Sequence, residues 1–402
     1  MISMTIDFDQ IIDRRNTNSL KWDSMEARYG VSPDTGIPMW VADMDFRPPE
    51  AVNDMLLANA KHGINGYFGD DTDYKASIVS WMERRHDFKV EPSWITTVPG
   101  VVPGYSLAIQ AFSEPGDGVL VFSPVYHAFG RAIAANNRRL IESELVQRDG
   151  VYQIDFDGLA DLVDERTKVM LLCSPHNPGG RVWTADELRR LCTFCVERGI
   201  LIVSDEVHHD LVFDGHRHVA TATLSEEIAA NTITFAAASK TFNLAGFMTA
   251  AAIISNADIR RRYVAQVSAC GLGPNRLGIL ATTAAYNHGE VWLEALLAYL
   301  KHNEALLAEG LEAALPGARV MRMPSTYLSW VDMSEVDLPF KTLVERMEKN
   351  AGIATNHGAA FGKGGELFLR FNLACPKSVV ENAIARLEQE FADLRSQQTS
   401  FS

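Results

Sequence analysis

The chain has 402 residues, of which 47% are hydrophobic and 22% charged, and its formal net charge at pH 7 is −14. That length exceeds what one hydrophobic core organises, and the composition is that of a globular protein with a sizeable interior; disorder is excluded and two domains are predicted. The acidic balance, with no basic run longer than the triplet Arg260, Arg261 and Arg262, excludes nucleic acid as a direct ligand, and the apolar stretches are too short and interrupted for a membrane span.

Met1 to Gln10 lacks the positive-then-apolar order of a secretory signal, so a cytoplasmic location is expected. The first 50 residues hold Pro38, Pro48 and Pro49 and little periodicity, and should wrap the surface and pack with the smaller domain rather than fold alone. From residue 51 to 288, short apolar runs alternate with amphipathic stretches, as in a mostly parallel sheet covered by helices. Predicted strands are Val119 to Phe122, Val169 to Cys173, Ile200 to Ser204 and Ile233 to Ala236. One helix is predicted over Tyr105 to Phe112; another opens on a capping box, Thr184 with Glu187, and runs through Val196 with Gly199 beyond it. Cys192 and Cys195, the one C-x-x-C pair, fall inside that helix and read as buried packing; no metal is expected there. Residues 289–402 begin with a long helical pattern, Val291 to Leu315, and form the second, smaller α/β domain.

Polar and glycine-rich residues follow several predicted strands, at the edge where open α/β sheets bind ligands. Lys240, among small residues just past Ile233 to Ala236, offers a positioned amine; read alone it is a surface charge. Asp205 ends an apolar run, so its carboxylate needs a cation, although an N-cap or a structural salt bridge is the alternative. In Ser174-Pro175-His176-Asn177-Pro178-Gly179-Gly180 the prolines fix a turn from which Asn177 can donate; it could also be only a turn. His208 could add a contact or cap a helix. Gly100-Val101-Val102 precedes a helix whose free N–H groups suit a phosphate, with Ser239 as a further hydroxyl, and Tyr126 could stack on a ring. An amine for an aldehyde, an anion for a pyridine nitrogen, a donor for a ring oxygen and a phosphate cradle are the four things pyridoxal 5′-phosphate asks of a protein.

In chain order, Asn177-Pro178-Gly179, Asp205, Ser239-Lys240 and Arg370 resemble the signature of the class I/II aminotransferases, the fold-type I pyridoxal-phosphate enzymes. Pro38-Met39-Trp40-Val41-Ala42-Asp43-Met44-Asp45-Phe46, with Ser239 to Gly246 and Arg370-Phe371-Asn372-Leu373, is similar to the MalY/PatB group of cystathionine β-lyases, or C–S lyases. The resemblance implies an aspartate-aminotransferase-like fold whose large domain holds a seven-stranded, mostly parallel sheet. It also implies Lys240 as the catalytic lysine that holds the cofactor, Arg370 on the substrate α-carboxylate, backbone near Ala42 closing over that group, and Tyr126 and Asn177 reaching substrate as well as cofactor. Tyr67 would reach the cofactor phosphate of a neighbouring subunit, in a homodimer with shared active sites. Ala237, Met248, His208 and Ala128 depart from the family pattern, which shifts phosphate binding toward backbone, Ser239 and Tyr67. The implied activity is elimination from a cysteine S-conjugate, with transamination as the alternative. A regulatory protein on the same scaffold is a third reading, opposed by the joint presence of Lys240, Asp205, Asn177 and Arg370.

Overall fold

The structure is a computed structural model and describes residues 6–399. Its strands, in chain order, are β1 (Ile37–Met39), β2 (Ile95–Val98), β3 (Gly118–Ser123), β4 (Arg139–Glu144), β5 (Val146–Arg148), β6 (Val151–Gln153), β7 (Thr167–Cys173), β8 (Leu201–Asp205), β9 (Thr232–Ala236), β10 (Ala250–Ile253), β11 (Arg319–Val320), β12 (Leu328–Asp332), β13 (Ile353–His357) and β14 (Phe368–Asn372). Helices used below are α1 (Thr72–His86), α2 (Val101–Phe112), α3 (Ala128–Ala135), α4 (Ala185–Glu197), α5 (Ala238–Thr241) and α6 (Glu290–Ala314).

Seven strands form one sheet in the order β2-β10-β9-β8-β7-β3-β4. Neighbours from β9 to β4 run parallel, while β10 is antiparallel to both β9 and β2. β3, β8 and β9 are buried along their whole length, and β7 at every residue but Lys168, because helices cover both faces and leave no solvent side for an alternating pattern. Alternate residues of β7 serve the two faces. Val169 and Leu171 join Tyr105 and Ile109 of α2 in one cluster, and Met170 and Leu172 join Leu188, Leu191, Cys192 and Cys195 of α4 in the other. The cysteine pair is therefore packing, and α4 carries the expected capping box between Thr184 and Glu187.

The second sheet has the order β1-β13-β14-β12-β11. β1 runs parallel to β13, so the proline-containing N-terminal stretch enters this sheet at its edge, where Pro38 removes no needed ladder donor. The 25-residue α6 packs its Leu293, Leu296, Leu300, Leu307 and Leu311 into the core. No helix among the described residues is long and apolar enough to cross a membrane.

One expected boundary moves. α2 starts at Val101, not Tyr105, since Gly100 at φ 103° supplies the cap position and Pro103 sits in the first turn, where its missing N–H removes no bond.

Candidate active site

Three strand ends stand side by side: Cys173 of β7 is in register with Asp205 of β8, which is in register with Phe235 of β9. The segments leaving that edge carry Asn177, His208 and, on the short α5, Ser239 and Lys240. With Tyr126 after β3 and Val101 and Val102 opening α2, they line one cavity of about 150 Å³. A wider cleft of about 830 Å³ adjoins it, lined among others by Trp40, Asp43, Tyr126, Lys240 and Arg370. Ala42, Tyr126, Lys240 and Ala245 belong to both walls, so Lys240 stands at the junction.

The Lys240 Nζ donates to the Ala42 carbonyl at 2.6 Å, and burial pulls its pKa down to about 8 against the opposing attraction of Asp43. An amine held that way is available as nucleophile and base near neutral pH. Asp205 is buried, yet the one hydrogen bond its carboxylate accepts among the described residues comes from Val207 N–H at 3.2 Å, and burial pushes its pKa up to about 7. No helix follows it, since residues 207–210 form a turn, and no ion pair reaches it among the described residues; the helix-cap readings of Asp205 and His208 and the salt-bridge reading of Asp205 therefore fall away. His208 is buried with Nδ1 unpartnered, and burial, then Lys240 and Arg370, hold it uncharged.

Arg370 on β14 is 2% exposed, and no carboxylate pairs with it among the described residues. Its guanidinium donates to Asn177 Oδ1 (2.9 Å), the Trp40 carbonyl (3.0 Å) and Asn356 Oδ1, and Nε has no partner. Burial lowers its pKa to about 10, so it stays charged and in want of an anion. Because Asn177 Oδ1 faces Arg370, its amide nitrogen is left to donate into the smaller cavity.

The segment from Trp40 to Phe46 roofs both spaces and is held by side chains from distant elements. Tyr327 OH donates to the Ala42 carbonyl, Asn372 Nδ2 to those of Val41 and Asp43, and Asn243 Nδ2 to those of Met44 and Phe46, while Asn243 Oδ1 accepts from Met44 N–H. Asn372 and Asn243 lay inside motifs visible in the sequence without an assigned task. Tyr327 and Asn356 carried no local signal at all.

Tyr67 is not brought to this site. It is fully exposed on the stretch between residues 63 and 71, so within a single chain it touches neither cavity. The other predicted site residues converge, with one refinement: the backbone group against Arg370 is the Trp40 carbonyl, while Ala42 meets Lys240.

Behind Lys240, His86, His209 and Asp210 bring their polar atoms within 4.8 Å of one another, a spacing a metal could use. The Asp210 oxygens already accept from Trp81 Nε1 (3.0 and 3.2 Å), His86 Nε2 (2.8 Å) and Thr241 Oγ1 (2.7 Å). That makes Asp210 a saturated anchor for the residue after Lys240.

The residues present fit pyridoxal phosphate. The under-paired buried carboxylate of Asp205 suits a pyridinium nitrogen, an unpartnered His208 nitrogen and the Asn177 amide would serve a ring oxygen, and the first N–H groups of α2 after Gly100 suit the phosphate.

The model of the family "Aminotransferase class I and II" matches residues 38–387. The chain is 40% identical to cystathionine beta-lyase PatB of Bacillus subtilis over 385 residues, covering 95% of this chain and 99% of that one. It is 32% identical to protein MalY of Escherichia coli, covering 95% and 97%. The crystal structure of cystalysin from Treponema denticola, which contains a pyridoxal 5′-phosphate cofactor, superposes with a TM-score of 0.93 at 37% identity, covering 97% of this chain and 100% of that one.

Proposed function

The chain belongs to the aminotransferase class I and II family, and from that membership we propose that it is a pyridoxal-phosphate-dependent C–S β-lyase of the cystathionine β-lyase type. It converts a cysteine S-conjugate and water to pyruvate, ammonia and a thiol. The observation that carries this reading is the junction at Lys240: one amine borders both a cofactor-sized cavity and a cleft whose wall presents a buried, anion-seeking Arg370.

Pyridoxal phosphate, when bound, supplies an electron sink conjugated to the substrate's Cα. Asp205 would keep the ring nitrogen protonated, Asn177 and His208 would donate to the ring oxygen, Tyr126 would pack on the ring, and the Val101 and Val102 N–H groups with Ser239 would hold the phosphate. Arg370 takes the substrate α-carboxylate in a fork, with Asn177 and Trp40 fixing the plane of its guanidinium. The Lys240 Nζ, once free, takes the Cα proton and returns it to the departing thiolate; its pKa of about 8 suits both directions near neutral pH. The Trp40 to Phe46 roof keeps water from the reacting carbon.

A homodimer belongs to the same proposal. Full exposure of Tyr67, remote from its own chain's cavities, supports its reaching the phosphate of a second copy. The proposed setting is cytoplasmic, in keeping with five cysteines that are all unpaired, Cys270 exposed among them.

The test is to incubate cofactor-loaded protein with L-cystathionine, with and without a keto-acid acceptor, and follow pyruvate and free thiol. Acceptor-independent pyruvate with matching thiol is the expected result. Amino transfer to the acceptor without thiol would instead make the protein an aminotransferase.

A further inference from the structure

The consecutive roof carbonyls from Trp40 to Asp43 are each held by a side chain that comes from the second sheet or leads into it. Arg370 donates to Trp40, Asn372 to Val41 and Asp43, and Tyr327 to Ala42. Arg370 and Asn372 lie two positions apart on β14 and so share a face, and Asn372 is in register with Leu328, the residue after Tyr327. Two neighbouring strands thus deliver the clasp. Within it the Ala42 oxygen is shared, accepting from Tyr327 OH at 3.0 Å and from Lys240 Nζ at 2.6 Å.

A carbonyl oxygen has two lone pairs, and these two donors fill them. Donors on one oxygen weaken each other, since each draws on the same electron density. The bond from Lys240 favours the ammonium over the amine, because the charged group is the stronger donor. Tyr327 therefore acts on Lys240 in two ways: it keeps the oxygen turned toward the amine, and it trims how far that oxygen stabilises the ammonium. Tyr327 is fully buried and belongs to the wall of neither cavity, so its route to the reacting atoms runs through Ala42. Burial holds its hydroxyl protonated, so removing that oxygen removes no charge. The charged groups facing the amine are Asp43 on the roof, Arg370 on β14 and Asp205 at the end of β8, with the uncharged His208 beyond. None of them is altered by exchanging Tyr327 for Phe.

We propose that Tyr327 is a positioning residue for the base: by sharing the Ala42 carbonyl with Lys240 it sets where the free amine rests and how tightly that amine holds a proton. The inference rests on Lys240 being the cofactor's lysine and the proton acceptor, a premise that elimination and transamination share.

The test compares Tyr327→Phe with the parent in two ways. In the cofactor-free protein, acetic anhydride labelling of the Lys240 peptide is followed by mass spectrometry at pH 7 and pH 9.5. Loss of the competing hydrogen bond leaves the amine more basic, so labelling at pH 7 should slow by about 3-fold, while at pH 9.5, where both amines are neutral, the rates should agree. In the holoenzyme, the acid limb of the kcat profile with L-cystathionine should move to higher pH. Labelling that is unchanged at pH 7, or changed equally at both pH values as a difference in access would be, overturns the proposal. Loss of stability with the labelling profile unmoved also overturns it, since that is what a structural tyrosine gives. Absence of borohydride-trapped cofactor on Lys240 in the parent overturns the pyridoxal-phosphate reading instead, and labelling of the cofactor-free protein then decides Tyr327 by itself.

Discussion

Asp205 ends β8 and Asp210 lies five residues beyond it; both are buried, and they have opposite surroundings. Asp210 accepts from Trp81, His86 and Thr241 and faces His209 at 3.2 Å, which holds its carboxyl well below the usual range despite burial. The Asp205 carboxylate accepts one backbone N–H, and burial lifts its pKa to about 7. The cations divide the same way: Lys21 is buried against Asp45 at 2.7 Å, whereas Arg370 is buried among neutral acceptors. Burial alone therefore does not distinguish a structural charge from a functional one. A saturated charge belongs to the scaffold, and an under-paired one is left for a ligand to complete.

The largest effect expected on the under-paired side is that of Lys240→Ala, which should cut thiol release by about 10⁴-fold and abolish borohydride-trapped cofactor. Full trapping in that variant would remove Lys240 from its assigned place. Asp205→Asn should lower turnover of the holoenzyme by about 10²-fold yet stabilise the cofactor-free protein. The sign follows from its raised folded-state pKa. Stability from this group is fully present below the ordinary carboxyl value of 3.8 and is lost as pH rises through about 7, a loss the amide cannot suffer. Melting curves of the cofactor-free protein at pH 5 and pH 8 should show the gain mainly at pH 8, and no gain there would place an unseen partner on Asp205.

Asp210→Asn should do the reverse, destabilising the protein by about 3 kcal/mol because it strips an acceptor from a buried network. The Asp210 pKa is depressed, so its contribution is present above 3.8 and lost as pH falls below it; the variant and the parent should converge in acid. Denaturant titration at neutral and acidic pH checks both points. The smallest change is Thr241→Val, at about 1 kcal/mol for one hydrogen bond, with Thr241→Ser restoring it. If Thr241→Val moved the holoenzyme's spectrum and left its stability untouched, the boundary between scaffold and site would have to be redrawn to include Thr241.

Local patterning carried much of this outcome. Continuous apolar runs ending in polar turns located β3, β7, β8 and β9, and with them the edge where Asn177, Asp205 and Lys240 meet. The capping box at Thr184 located α4, because its signal lies within a few residues. The start of α2 was misplaced because a proline inside a first turn reads as a break when the free N–H groups there are not considered.

By itself the sequence determined the strands, their polar ends, and the residue types able to hold pyridoxal phosphate, since each depends on neighbours a few positions away. Only the tertiary structure decided which charges stay unsatisfied. Arg370 meets Asn177 and Trp40, Lys240 meets Ala42, and Asn243 clasps Met44, all across separations that no periodicity encodes. It likewise left Tyr67 outside its own chain's site and brought Tyr327 and Lys240 to one carbonyl. The physical reason is that a charge's energy depends on what packing brings within a few ångströms of it, and chain order does not fix that.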